Sequence, residues 1–212
     1  MGLRNKTCLV TCGPTWVAID DMRVLANRST GTLGQMLALK LAQSGAKVSV
    51  LEGPVSSAIQ HKKIRVQKFR FFDELDDLLD KELKKAYDCI IHAAAVSDFQ
   101  LARRVRGKIA SDVKKITLTL VPTPKLIKKI RRRAPKACLV GFKLESSTQE
   151  RVLARAARQA LKDNRSDLLV ANSLAGGYTG YIFDKNGNQV RTGIRSRKML
   201  ASALVKILDR TL

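Results

Sequence analysis

TCLVTCGPTWVAIDDMRVLANRSTGTLGQMLALKLAQSGAKVSVL, residues 7–51, is the stretch from which the fold is read. It opens and closes with short runs, TCLVTC (7–12) and KVSVL (47–51), that are mostly apolar, as strands buried on both faces of a parallel sheet are. Between them, residues 31–44 place Leu33, Met36, Leu37 and Leu41 on one face of a helix. Parallel strands need such a crossover, so the stretch reads as a βαβ unit.

The same grammar continues along the chain. IRVQKF (64–69), YDCIIHAA (87–94), ITLTLV (116–121), ACLVGF (137–142) and DLLVAN (167–172) read as further buried strands. Helical spacing returns at 73–85 with Leu75, Leu78, Leu79 and Leu83, and in KLIKKIRRR (125–133) with Leu126, Ile127 and Ile130 inward. It returns again at 147–161, where Ser147 and Glu150 spell a capping box ahead of Leu153, Ala156, Ala157 and Ala160. Asn186-Gly187 inside YIFDKNGNQV predicts a hairpin, and Ser196 opens a last helix along Leu200, Leu204 and Leu208. The alternation predicts a doubly wound, mostly parallel, Rossmann-like α/β sheet with a C-terminal hairpin and helix. No repeat or linker interrupts it, so residues 1–212 are expected to form one domain.

Composition limits the function classes. The chain of 212 residues carries 40 Lys and Arg against 18 Asp and Glu, a net charge of +22, with 45% apolar residues. That is enough to build a core without staples. No apolar run reaches the ~18–20 residues of a membrane span, and MGLRNKTCLVTCGP lacks the pattern of a cleaved leader. A soluble, cytoplasmic protein is expected. Cys8, Cys12, Cys89 and Cys138 lie in or beside apolar runs with no metal-type spacing, so they read as reduced core thiols. His61, in HKK, reads as solvated and His92 as buried or capping, and two histidines so far apart predict no metal site.

In a doubly wound sheet, ligands bind beyond the carboxyl ends of the strands. The loop after the first strand, GPTWVAIDDMRVLANRSTGTLG (13–34), supplies Gly13 at a tight turn and hydroxyls at Thr15, Ser29 and Thr30. Gly31 and Gly34 then open a helix whose N–H groups suit an anion. The design suits a phosphate, although Ser29 or Thr30 could equally cap the helix while the glycines permit close packing. Neither GxGxxG nor GxxxxGK[ST] is present.

The order of the loops carries more. GPTWVAID, ANRSTGTLG, HAAAVSDF (92–99), GKIASD (107–112), VPTPKLI (121–127), VGFKLES (140–146) and DLLVAN follow one another from residue 7 to about 172. In this the chain resembles the phosphopantothenate–cysteine ligases, and most closely their stand-alone form, with no flavin-dependent decarboxylase domain ahead of it. The resemblance implies that the carboxylate of 4′-phosphopantothenate attacks the α-phosphate of CTP or ATP, carried with Mg²⁺. Cysteine's amine then displaces the nucleotide from the acyl-nucleotidylate. It implies a homodimer as well.

Carried over residue by residue, Asn27 lies over the acyl-nucleotidylate, and Lys108 contacts the triphosphate and assists its activation. Both are the expected catalytic residues. Arg28, Ser29 and Thr30 join Asn27 in holding the substrate. Gly13, Thr15, Ser29, Asp98 near the ribose, the segment His92, Ala93 and Ala94, the turn with Pro124 and Leu126, and Phe142 at the base would contact the nucleotide. Taken without the resemblance, Asn27 could be a turn residue, Lys108 a solvated cation, Asp98 a helix cap and Phe142 core.

The sequence departs from the family in places. Lys125 stands where many members have aspartate, and Ser173 where aspartate often follows the VAN triplet. GGYTGY (176–181) replaces the usual loop. A lysine pair expected ahead of DLLVAN falls on Gln159 and Asp163, and Arg158 and Lys162, also four apart, take its place as nucleotide contacts.

Two rival readings remain. Tyr181 and Lys185 satisfy the YxxxK of short-chain dehydrogenases, but in a predicted hairpin strand they do not share the helical face that catalysis needs. The 13 Lys and Arg against one Asp within 101–136 suggest a nucleic-acid module. That stretch has no aromatic residue for stacking on single strands, and nucleic acid is not the favoured partner.

Overall fold

The computed structural model describes residues 2–212. In chain order the elements are β1 (Thr7–Cys12), β2 (Trp16–Ala18), β3 (Val24–Ala26), α1 (Thr32–Gln43), β4 (Lys47–Glu52), β5 (Ile64–Lys68), α2 (Phe72–Glu82), β6 (Cys89–His92), β7 (Phe99–Leu101), β8 (Leu120–Pro122), α3 (Leu126–Arg133), β9 (Cys138–Glu145), α4 (Glu150–Asn164), β10 (Leu168–Ser173), β11 (Thr179–Asp184), β12 (Gln189–Ile194) and α5 (Arg197–Thr211). Eight strands form the main sheet in the order β12-β11-β10-β9-β6-β1-β4-β5. Pairing is parallel from β5 to β10 and antiparallel at β11 and β12. This is the doubly wound α/β architecture read from the sequence.

The winding follows from where each crossover goes. From β1 the chain passes through α1 to β4 on one side, while β6 leads through α3 to β9 and through α4 to β10 on the other. Right-handed crossovers in opposite directions place helices on opposite faces. Accordingly α1 and α5 pack over Val10, Val50, Ile91 and Val170, whereas α2 and α3 cover Leu9, Leu51, Ile90 and Leu139. α4 continues the second layer over Leu169, Ala171 and Phe183. Neighbouring strand residues alternate between the two cores, as a pleated strand buried on both faces requires.

The four cysteines are free thiols, and three of them, Cys8, Cys89 and Cys138, lie side by side in register on β1, β6 and β9. The hairpin forms at Asp184–Asn188, with Gly187 at φ 80°, and Ser196 Oγ accepts the N–H of Met199 at the start of α5. Two expectations fail. ITLTLV does not enter the main sheet: only Leu120–Pro122 is a strand, and it pairs with Phe99–Leu101 in an exposed two-stranded ribbon. Its apolar alternation faces outward because β9 already occupies the place beside β6. Ser147 does not cap α4 either. Its hydroxyl accepts the N–H of Gln149, and Gln149 is the N-cap.

Candidate functional site

The order of strands reverses between β1 and β6, and the loops leaving these two strands are tied together there. Ala93 N–H donates to Thr11 O at 3.0 Å, Ala95 N–H to Gly13 O at 2.9 Å, and Thr15 N–H to Ala95 O at 3.3 Å. These bonds extend the sheet ladder past its last registered pair. Thr15 is fully buried and its hydroxyl accepts the N–H of Ser97 at 2.9 Å. It therefore fixes the two loops and presents nothing to a ligand. Thr123 closes the other side, its hydroxyl donating to Ser97 O at 2.6 Å. Ser97 and Thr11 were not singled out from sequence. Their signal is position alone, a hydroxyl ending or following a buried strand at the reversal.

Asn27 reaches this point from the far end of the loop. Its Nδ2 donates to Ala95 O and Val96 O, both at 3.2 Å. Two carbonyl partners settle which end of the amide faces them, so Oδ1, an acceptor, is the end left for a ligand. Both donor hydrogens of the amide are thereby engaged. His92 is buried, shares a 2.9 Å hydrogen bond between Nδ1 and Thr11 Oγ1, and is pushed down to about 4 by its burial. Its ring is neutral at physiological pH.

Two helix ends face the same edge. Gly31, at φ 71°, is the N-cap of α1 and no side chain caps the helix, so the reading in which Ser29 or Thr30 caps it does not hold. A side chain at Gly31 would also lie 2.5 Å from Val55 Cγ1. The first N–H groups of α1 are thus left without side-chain partners, and α3 likewise begins at Lys125 without a side-chain cap. Unsatisfied N–H groups and the helix dipole make such ends favourable to anions. Arg28 and Thr30 are exposed beside Gly31, and Ser29 is half-buried.

Lys108 lies in an irregular exposed segment held down by the loop that carries Asn27. Asp20, 2% exposed, accepts the N–H groups of Met22 and Arg23, the guanidinium of Arg23, and the N–H of Ile109 at 3.0 Å. Arg23 also donates to Ile109 O at 2.7 Å. On the other side of Lys108, Gly107 N–H donates to Asp21 Oδ2 at 2.9 Å, and Arg104 pairs with Asp21 at 2.8 Å. The hydrogen bond from Arg23, above all, holds Asp20's carboxyl well below the usual carboxylate range. Sequence reading missed Asp20 and Asp21; their adjacency, with Arg23 three residues on, was the available cue. Among the described residues the ammonium of Lys108 has no partner.

The remaining expected contacts divide. Asp98 is exposed and paired with Lys125 at 2.6 Å, so the lysine that departs from the family pattern is the counter-ion of the expected ribose residue. Pro124 is exposed in the turn before α3, whereas Leu126 is buried in the core beneath that helix and offers a ligand only backbone. Phe142 packs against the core on the α1/α5 face. Arg158 and Lys162 do not join the crevice. Arg158 Nε donates to Gly187 O at 3.2 Å, in the hairpin turn that registers with Leu168 at the start of β10, the opposite end of the sheet. Lys162 lies one turn further along α4 in that direction. The helix runs antiparallel to its strands, which carries both residues away. Tyr181 is in β11 and Lys185 follows it in the turn, so no dehydrogenase-type helical pair exists. A cavity of about 630 Å³ lies off β4 and β5, walled by Trp16, Gly53, Pro54, Phe69 and Leu78, and none of the carried-over residues lines it. Among the described residues no group of three or more His, Cys, Asp or Glu is placed to hold a metal ion.

A doubly wound sheet whose polar loops and helix N-termini converge at the reversal of strand order defines a Rossmann-like α/β domain with its binding crevice at the switch point. The chain belongs to the family described as DNA/pantothenate metabolism flavoprotein C-terminal domain, which it matches over residues 3–208. It is 37% identical over 175 residues to the coenzyme A biosynthesis bifunctional protein CoaBC of Thermococcus kodakarensis, covering 81% of this chain and 42% of that protein. Against the Bacillus subtilis protein of the same name it is 32% identical over 186 residues, 87% of this chain and 44% of the other. The chain thus spans less than half the length of these relatives. Among solved structures, the DNA/pantothenate metabolism flavoprotein from Streptococcus pneumoniae superposes with a TM-score of 0.87 at 25% identity, covering 98% of this chain and all of that one. A Cab2 mutant complexed with phosphopantothenate-cysteine superposes at 0.75 with 22% identity, covering 98% and 87%, and shows the fold alone.

Proposed function

We propose that residues 1–212 act as a single ligase domain that joins 4′-phosphopantothenate to L-cysteine, with CTP preferred over ATP as the activating nucleotide. The observation that carries this reading is the crevice at the β1/β6 reversal, where the Asn27 amide, the uncapped α1 N-terminus and the pinned Lys108 segment all belong to one loop system. Membership of a family whose named relatives are coenzyme A biosynthesis proteins supports it.

In the first step a carboxylate oxygen of phosphopantothenate attacks the α-phosphorus, and the bond to pyrophosphate breaks. Charge accumulates on the phosphate oxygens, and Lys108 and the α1 and α3 N–H groups offset it. In the second step the cysteine nitrogen attacks the acyl carbon, the bond to the nucleotide phosphate breaks, and the amine loses a proton. Asn27 Oδ1 accepts an N–H of the incoming amine and orients its lone pair, a role that fits the acceptor end its geometry leaves free. Gly13, Ala93 and Ala94 supply backbone to the nucleotide, with Asp98 and Pro124 at the rim; Arg28, Ser29 and Thr30 hold the phosphorylated acid. Mg²⁺ enters as part of the nucleotide substrate, on its phosphates, as it does with triphosphates generally.

The protein works as a homodimer in the cytoplasm. Phe99, Leu120 and Val121 of the β7–β8 ribbon are exposed, as are Val113 and Ile116 in the segment before it, which leaves an apolar surface for a second copy. No helix is long and apolar enough to cross a membrane among the described residues. The test is pyrophosphate release from folded protein given phosphopantothenate, cysteine, Mg²⁺ and either CTP or ATP. Release dependent on both the acid and the nucleotide is expected, faster with CTP, and none with either nucleotide overturns the reading.

A further inference from the structure

The net charge of +22 is far more than a triphosphate site uses, and the structure collects part of it on one face. On α4, Arg151, Arg155, Arg158 and Lys162 follow at spacings of four, three and four, which at 100° per residue keeps them within about 60° of arc. All four are exposed. On α3, in the same layer, Lys128 and Arg132 are exposed one turn apart, and Lys136 follows. Among the described residues none of Lys128, Arg132, Lys136, Arg151, Arg155 or Lys162 forms an ion pair. Acids do stand near by: Asp76 and Asp80 of α2 are bridged by Lys129 and Asp167 pairs with Arg131, while Glu150 and Asp163 of α4 lie about 110° off the stripe. The outward stripe itself carries no acid, so its cations are left uncompensated.

We propose that the outward face of α3 and α4 binds the phosphate backbone of duplex nucleic acid. The α4 stripe is about 16 Å long, and a duplex presents one charge per ~1.7 Å of axis, so a single segment of backbone meets every cation of the stripe. Neither helix contains Phe, Tyr or Trp, which removes the stacking that single-strand binders use, and among the described residues Val152 is the one large apolar side chain exposed on either helix, too little to anchor a membrane-surface helix. The α3 and α4 cations lie on the face opposite α1 and α5, and the stripe runs along α4 toward Arg158 and Lys162 at the far end of the sheet from the crevice.

The test is fluorescence anisotropy of a labelled random-sequence duplex across a salt series, with the whole chain. At about 150 mM salt the dissociation constant is expected on the order of 10⁻⁴–10⁻⁶ M. Joint substitution Arg132→Gln, Lys136→Gln, Arg151→Gln and Arg155→Gln should flatten the log–log salt slope by about 0.9 for each cation that meets phosphate, while pyrophosphate release is unchanged. Arg132→Lys with Arg151→Lys and Arg155→Lys, which keeps the charge, should bind as the natural sequence does. Lys198→Gln with Lys206→Gln, on α5, should leave the slope as it was. No duplex binding by the natural chain at that salt, equal loss from the α5 pair, or binding to anionic vesicles without binding to duplex would each overturn the proposal.

Discussion

The carboxylate of Asp20 accepts the backbone N–H of Ile109 at 3.0 Å, across 89 residues of sequence. The loop after β1 thereby fixes the residue that follows Lys108, and through Asp21 and Gly107 the one that precedes it. One segment positions both Asn27 and the otherwise irregular stretch with Lys108. Asp20→Asn removes the charge that binds Arg23 and should lower turnover ~10- to 100-fold, with a smaller change in the KM for phosphopantothenate. Steady-state kinetics on protein with an unchanged circular dichroism spectrum checks this; near-normal turnover would show that the clamp is dispensable.

Lys108→Gln should abolish nucleotidylate formation without unfolding the protein, since the side chain is exposed and unpartnered among the described residues. Exchange of labelled pyrophosphate into the nucleoside triphosphate, which reads the first step alone, should fall by ~100-fold or more.

Asn27→Ala should act on the second step. Pyrophosphate release should proceed to about one equivalent per site while amide formation is slowed ~100-fold, because the acceptor proposed for the amine is gone. A quench experiment that finds acyl-nucleotidylate bound to the protein would bear this out, and equal loss of both steps would contradict it.

Gly34 carries the close contact between α1 and β1: a side chain there would approach Cys12 Cβ to 2.3 Å. Gly34→Ala must push the helix off the sheet and should cost about 2 kcal/mol or more in urea unfolding.

Stability should depend on His92 in acid. Its native value of about 4 lies below the ordinary 6.5, so the unfolded chain binds the proton more readily between these values. Stability from the neutral buried ring is complete above pH ~6.5 and is lost as pH falls toward 4, on the order of 3 kcal/mol. His92→Gln should flatten that part of the curve. Glu82 adds a lower window. Burial pushes it up, but hydrogen bonds from Arg65, Tyr87, Lys85 and Gln67 outweigh this and bring it to about 2, so its contribution is present above pH ~4.5 and fades below.

The proposed homodimer predicts that the natural chain sediments as a dimer and that Phe99→Asp with Leu120→Asp sediments as a monomer, since both side chains are exposed on the β7–β8 ribbon and hold no internal core.

The βαβ frame was legible because strands buried on both faces read as unbroken apolar runs, and Leu9, Leu51, Ile90 and Leu169 each sit in the cores so implied. ITLTLV had the same composition and misled, because composition reports that a run can be buried and not whether the sheet has room for it. Asn27 and Gly31 stood out by residue type and motif. Thr11, Asp20 and Ser97 did not, since their partners are 83, 89 and 82 residues away in Ala94, Ile109 and Thr15. Arg158 and Lys162 were misplaced by counting residues along a helix without knowing which end of the sheet it approaches.

The eight-stranded sheet ends in β5 at one side and β12 at the other. β5 turns Arg65 and Lys68 to solvent, and β12 pairs with β11 through register shifts while carrying exposed Arg191. Cations and a bulged edge both discourage a foreign strand from docking. A wide sheet rich in Val, Ile and Leu is a template for aggregation at its margins, and here both margins discourage extension, which keeps the sheet from growing from one molecule to the next.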